Sequence, residues 1–217
     1  NVDFDPEFYQ YGGSWIYALG FWYYTLDVLS IYPKPSLETL LSNPDLVDQM
    51  YIYGRLFVLI SVCLSAFVLF KTCTELTSPS KSIILLFFYL TTPAIISYSQ
   101  IMKPHWYALF WANMSLLYLI RANKGRGFHL FEQLITGMGL GLAVGASLSF
   151  GLFAIGVLIA VLCLVRRKKI EPRATFIIIM SALFLFCLTN PFLLLNTLSA
   201  SAELDSLLGW YQIEFKF

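Results

Sequence analysis

Residues 52–72, IYGRLFVLISVCLSAFVLFKT, form an apolar run with Arg55 near its start and Lys71 near its end. About 20 apolar residues are enough for an α-helix to cross the hydrocarbon core of a bilayer. Comparable apolar runs occupy residues 82–99, 106–120 and 174–195. These runs predict membrane-spanning helices.

The composition agrees with this prediction. The chain is 58% hydrophobic and 12% charged, with a mean hydropathy of +0.71, which is typical of polytopic membrane proteins and not of soluble domains. Its Lys and Arg residues lie in short loops and form no basic face, which argues against a nucleic-acid partner. We therefore predict an all-α fold, a polytopic transmembrane helical bundle with an extracytoplasmic interfacial helix, and membrane lipid as a partner.

Residues 128–165 form an apolar segment too long for a single span. The sequence GASLSFG at 145–151 predicts a break between two helices, which brings the total to about six spans. Small residues let helix backbones approach closely in lipid, so we expect the glycines of the first helix to serve packing. These glycines are Gly137, Gly139, Gly141 and Gly145.

The distribution of charge predicts the orientation, because short cytoplasmic loops carry an excess of Lys and Arg. With the predicted spans, all but four of the fourteen basic residues fall on one side, and all but three of the thirteen acidic residues fall on the other. The four basic exceptions are Lys34, Arg55, Lys103 and Lys216. We expect a multi-pass protein of the bacterial cytoplasmic (inner) membrane whose working face points outward.

The predicted organisation has three parts. Residues 1–51 form an extracytoplasmic acidic loop and interfacial helix, residues 52–198 the bundle, and residues 199–217 an extracytoplasmic tail or the start of the next outer loop. Within the first part, Gly12 and Gly13 precede residues 14–32, which contain Gly20, Asp27 and aromatics such as Trp15; these residues favour a helix at the membrane surface. The alternative is that 14–32 spans, which would move residues 1–13 to the cytoplasmic side.

Acidic and basic residues converge on the predicted outer face. A carboxylate can act as a general base or metal ligand, and Arg, Lys and His can hold a phosphate leaving group. The acidic candidates are Asp3, Asp5 and Glu7, and the basic candidates are Arg55, Lys103 and His105. Each has a simpler interpretation: the acids are solvated, Arg55 extends to lipid headgroups, and Lys103 and His105 cap a turn.

Sequence motifs for several enzyme classes are missing. The chain contains no HExxH, CxxC, P-loop or GxGxxG pattern, so metalloprotease, redox, nucleotide-hydrolysing and dinucleotide-binding functions have no support. We predict no cofactor, although outer acidic residues can hold a divalent metal without a diagnostic spacing.

Four stretches together resemble a known family. They are DPEFYQYGG at 5–13 followed by Ile16-Tyr17, YGRL at 53–56, MKPH at 102–105 and TNPF at 189–192. Their order and approximate spacing resemble the bacterial membrane glycosyltransferases of the dolichyl-phosphate-mannose protein mannosyltransferase type, in the glycosyltransferase C superfamily. We refer to these stretches as the four landmarks.

The resemblance implies an inverting enzyme that takes a sugar from a polyprenyl-phosphate carrier on the outer face and transfers it to an acceptor of unknown identity. A carboxylate in the first outer loop would be the base, and Arg55, Lys103 and His105 would bind the donor phosphate. Such enzymes usually carry an acidic motif farther upstream and several more spans. We therefore expect an internal piece of a longer enzyme, in which Asp3, Asp5 and Glu7 are substitute candidates for the base.

Two other functions are open. A non-catalytic lipid-linked sugar translocase or polysaccharide-export subunit would share the basic headgroup contacts and need no base. A structural membrane subunit would bind no polyprenyl phosphate.

Overall fold

The computed structural model describes residues 12–32, 35–125 and 128–191, and these residues fold into helices without a β-strand. The predicted all-α class is confirmed for this part of the chain. The helices are α1 (Gly13–Val28), α2 (Leu37–Ser42), α3 (Pro44–Leu76), α4 (Pro79–Thr91), α5 (Pro93–Ser99), α6 (His105–Asn123), α7 (Leu130–Ala146), a short 3-10 turn (Leu148–Phe150), α8 (Gly151–Arg166) and α9 (Pro172–Thr189).

Helix α3 starts earlier than the apolar run. The Asn43 side chain accepts a hydrogen bond from the Asp45 amide at 3.1 Å, and Pro44 occupies the first helical position, where its missing N–H costs nothing. The helix is 33 residues long, which corresponds to about 50 Å. The predicted boundary between residues 51 and 52 therefore lies inside one continuous helix.

Helices α3, α6, α7 and α9 pack side by side in that order. Glycines in α7 permit the close approach, because an added Cβ at Gly137 would overlap the Ser181 hydroxyl oxygen and one at Gly141 the carbonyl oxygen of Ala182. A Cβ at Gly139 would approach Ser115 of α6 in the same way. The predicted packing role of these glycines is confirmed.

Buried polar contacts fix the register of the bundle. The Asn113 amide of α6 donates to the Ser65 hydroxyl of α3 at 2.9 Å, and the Ser115 hydroxyl donates to the Thr136 carbonyl of α7 at 2.9 Å. Helices α7 and α9 run in the same direction, because Gly137 lies against Ser181 and Gly145 against Thr189, and the end of α7 packs near the start of α6. We call this end, at residues 104–105, 146 and 190, the α1 end, because α1 begins there, and its counterpart the opposite end.

Three helical segments of the described chain are long and apolar enough to cross a membrane: Pro44–Leu76, Leu148–Arg166 and Pro172–Thr189. There are four if α4 and α5 count as one span, although they are bent by 60°. Apolar side chains are exposed on the bundle exterior, with Leu152 at 81% and Phe176 at 66%. These features are those of a membrane protein. The predicted spans at 106–120 and in the first half of 128–165 correspond to helices α6 and α7, but these helices do not meet the same criterion.

Two interruptions of the helices can be compared with the sequence prediction, and the prediction is correct for one and wrong for the other. The predicted break at 145–151 is confirmed, because α7 ends at Ala146 and α8 starts at Gly151. Residues 82–99 were predicted as one span, yet the helix is interrupted at Thr92, whose φ of −61° and ψ of 125° are extended. The following Pro93 disfavours the helical conformation at residue 92. Pro93 also has no backbone N–H, so it cannot donate the hydrogen bond that would continue the helix.

Candidate functional site

The first and fourth landmarks contact each other at the α1 end. The Gly13 amide donates to the Asn190 side-chain oxygen at 2.8 Å, and the Gly12 amide donates to the Ala146 carbonyl at 3.1 Å. A Cβ at Gly12 would overlap the Gly145 carbonyl oxygen, and one at Gly13 would overlap that of Thr189. Only glycine therefore allows the chain to enter α1 so close to the ends of α7 and α9.

The second and third landmarks also contact each other. The Met102 sulfur lies against Gly54, where an added Cβ would overlap it. The Tyr23 hydroxyl of α1 would be 2.8 Å from the same Cβ, and it donates to the Met50 carbonyl at 2.6 Å. Helix α1 thus contacts the residues that immediately precede Arg55 and Lys103.

An aromatic cluster holds α1 against α3 and α6. The Trp15 ring lies 5.5 Å from the Phe57 ring and 6.1 Å from the Tyr107 ring, and Trp15 is only 3% exposed. The Trp22 indole N–H donates to the Tyr53 carbonyl at 3.0 Å. The Trp15 ring is buried between helices, so it does not contribute an exposed aromatic surface to α1. Whether α1 lies at a membrane surface stays a prediction.

A cavity of about 300 Å³ opens between α1, the segment after it, and the start of α3. Three tyrosine rings and one carboxylate, that of Asp27, line it together with apolar and small residues. The lining residues are Gly20, Tyr23, Tyr24, Asp27, Tyr32, Pro35, Leu40 and Met50. The Tyr32 hydroxyl donates to the Leu46 carbonyl at 3.1 Å, which holds one wall in place. Aromatic faces with a few polar groups are typical of small-molecule sites, and they suit a sugar ring.

The sequence did not single out this cavity as a site. Its signal was the spacing of Tyr23 and Asp27, because residues four apart share one face of a helix. Both were assigned instead to a membrane-surface helix. The wall supplied by Tyr32 and Met50 depends on tertiary packing and leaves no local pattern.

The basic candidates all lie at or near the α1 end. Arg55 is exposed, and its guanidinium carbon lies 4.5 Å from the centre of the Tyr51 ring. Lys103 is half-buried in the turn before α6, and His105 is exposed as the first residue of α6. Desolvation, and secondly the charge of Lys103, hold the pKa of His105 below its ordinary value of 6.5. The imidazole is therefore mainly neutral at pH 7.

The acidic candidates Asp3, Asp5 and Glu7 lie outside the described residues. Within residues 12–32, 35–125 and 128–191, no group of three or more His, Cys, Asp and Glu side chains is arranged to hold a metal ion. In comparisons with known proteins, no family model, no curated protein and no solved structure matches the chain.

Proposed function

We propose that the protein is an inverting membrane glycosyltransferase that moves a sugar from a polyprenyl-phosphate carrier to an acceptor on the outer face. The observation that carries this proposal is the pairing of the landmarks. Gly13 contacts Asn190, and Gly54 contacts Met102, although the members of each pair are far apart in sequence. Both pairs adjoin α1, as expected if the landmarks build one site.

The proposed topology has about six spans, with α6 and α7 crossing the membrane beside the more apolar helices. The α1 end faces outward, with α1 at the membrane surface. Arg55 and Lys103 then offer positive charge to a donor phosphate on that side, and the neutral His105 imidazole can donate a hydrogen bond to it. The tyrosine-lined cavity with Asp27 is the candidate position for a sugar or acceptor ring.

The proposed reaction is a single displacement. A carboxylate among Asp3, Asp5 and Glu7 removes the proton of the acceptor hydroxyl. The acceptor oxygen attacks the anomeric carbon as the bond from that carbon to the phosphate oxygen breaks. The lipid phosphate leaves with its electron pair, and the basic residues stabilise its charge.

The test is transfer of radiolabelled sugar from polyprenyl-phosphate donors by membranes containing the protein. Lys103→Ala and Arg55→Ala should each reduce transfer by about tenfold or more, the loss expected of a charge-assisted contact to the leaving group. Lys81→Ala is the matched control, because Lys81 is an exposed lysine in the first turn of α4, away from the α1 end.

Substitution of each outer acid, Asp3→Asn, Asp5→Asn and Glu7→Gln, identifies the base if one of them abolishes transfer. Donor binding that depends on Lys103, without transfer from any donor, would refute the enzyme and favour the translocase. If purified protein binds no polyprenyl phosphate, the structural-subunit alternative is favoured.

A further inference from the structure

A basic cavity of about 700 Å³ lies at the opposite end of the bundle, between the start of α7, the end of α8 and the start of α9. It shares no residue with the α1 end and has no role in the proposed transfer. Its polar and charged lining comprises His129, Gln133, Lys168, Lys169, Glu171 and Arg173. Three cationic side chains face one carboxylate, so the cavity favours an anion.

The three cations are not equivalent. The Lys169 ammonium donates to the Asn123 carbonyl at 2.5 Å and to its side-chain oxygen at 2.8 Å, which ties the α8–α9 loop to α6. Lys168, in the α8–α9 loop, and Arg173, in the first turn of α9, are exposed and line the same cavity. They are therefore the side chains best placed to bind a phosphate. The first turns of α7 and α9 also lie here and add positive potential.

An apolar groove of about 560 Å³ continues from this cavity along the outside of α7 and α9. The groove and the cavity share three lining residues, Leu130, Arg173 and Ile177. Along the groove the lining recurs every three or four residues on each helix, at Leu130, Leu134 and Met138 of α7 and at Phe176, Met180 and Phe184 of α9. From Arg173 to Phe184 the groove follows α9 for about 16 Å, comparable to one leaflet of the hydrocarbon core.

We propose that this end of the bundle binds an anionic glycerophospholipid, with its headgroup phosphate between Lys168 and Arg173 and one acyl chain in the α7–α9 groove. The continuity of basic cavity and apolar groove matches the two chemistries of such a lipid. The charge distribution predicts this end to be cytoplasmic, where anionic lipids attract basic segments. The proposal does not depend on the glycosyltransferase proposal.

Native mass spectrometry of the detergent-solubilised protein tests the site, with dioleoyl phosphatidylglycerol as the anionic lipid and dioleoyl phosphatidylcholine for comparison. We expect the anionic lipid to bind more tightly. Lys168→Gln and Arg173→Gln should each weaken its binding about fivefold, the typical effect of one basic residue near an anionic headgroup. Arg167→Gln is the matched control, because Arg167 is exposed in the same basic run but does not line the cavity. Equal loss in the control would overturn the proposal.

The apolar half of the site needs a separate variant. Met180→Trp places a bulky ring in the groove and should weaken phosphatidylglycerol binding, whereas Ile159→Trp, on an exposed position of α8, should not. Glycerol 3-phosphate supplies the phosphate without acyl chains. If it displaces the lipid at equal concentration, or if Met180→Trp has no effect, the ligand is a free phosphate and the lipid assignment is wrong.

Discussion

The contact between Asn190 and Gly13 joins α1 to the bundle, and Asn190→Ala tests its importance. The Asn190 side chain is 5% exposed, and its oxygen accepts from the Gly13 amide at 2.8 Å. Its amide group donates to the Phe186 carbonyl at 3.1 Å and to the Thr189 hydroxyl at 3.0 Å. Both of these partners make other hydrogen bonds, so the main group left without its acceptor is the Gly13 amide.

Loss of an acceptor from a buried amide costs about 1–3 kcal/mol. Detachment of the start of α1 should therefore become about 5–150 times more favourable. Hydrogen exchange measured by mass spectrometry should show faster exchange in a peptide containing residues 13–19. Asn113→Ala is the control, because it removes a buried asparagine between α3 and α6 and leaves the Gly13 contact intact. Unchanged exchange in Asn190→Ala, or equal acceleration in Asn113→Ala, would refute the reasoning.

Three further predictions concern packing, charge and pH. Gly141→Ala should destabilise the bundle by about 1–3 kcal/mol in detergent unfolding because its Cβ meets the Ala182 carbonyl, whereas Gly156→Ala, where no atom lies within 4 Å, should be neutral or stabilising. Arg121→Ala breaks the 3.0 Å ion pair with Glu75, whose side chain is 7% exposed. The substitution should lower the free energy of unfolding by about 1.5–3 kcal/mol in the same assay, because it leaves the Glu75 carboxylate without this partner. The double variant with Glu75→Gln should recover part of the lost stability, because it removes the buried charge. The His105 imidazole should titrate below pH 6.5 by NMR, and Lys103→Gln should raise the midpoint by removing a neighbouring positive charge. The folded state binds this proton more weakly than the unfolded chain does, so the contribution of His105 to the free energy of unfolding should decrease as the pH falls through 6.5. An NMR titration midpoint at or above pH 6.5 would contradict this prediction.

Local sequence patterns predicted the features that depend on neighbouring residues. The stretch Asn43-Pro44-Asp45 is a helix-start signal, and α3 begins there with Asn43 as its cap. The segment at 145–151 separates α7 from α8 because its small and polar residues interrupt two apolar runs. In contrast, the apolar run at residues 82–99 predicts one continuous helix, whereas Pro93 interrupts the helix at Thr92, so apolar patterning alone does not locate this break.

The arrangement of the candidate site depended on contacts that no local pattern encodes. Gly13 and Asn190 are 177 positions apart, and although both belong to the landmarks, no local pattern predicts the hydrogen bond between them. Gly12 and Gly13 end the first landmark, and only their close contacts with α7 and α9 reveal that glycine is required there for steric reasons. The burial of Trp15 likewise follows from the position of α1 against Phe57 and Tyr107.

The most direct test of the central claim is photo-crosslinking of a photoactivatable polyprenyl phosphate to the protein in membranes, followed by mapping of the labelled peptides. A donor site at the α1 end predicts labels in residues 51–56 and 100–107, with labelling reduced by Lys103→Ala and unchanged by Lys81→Ala. Labels confined to the opposite end, in residues 128–134 and 165–177, would contradict a donor site at the α1 end.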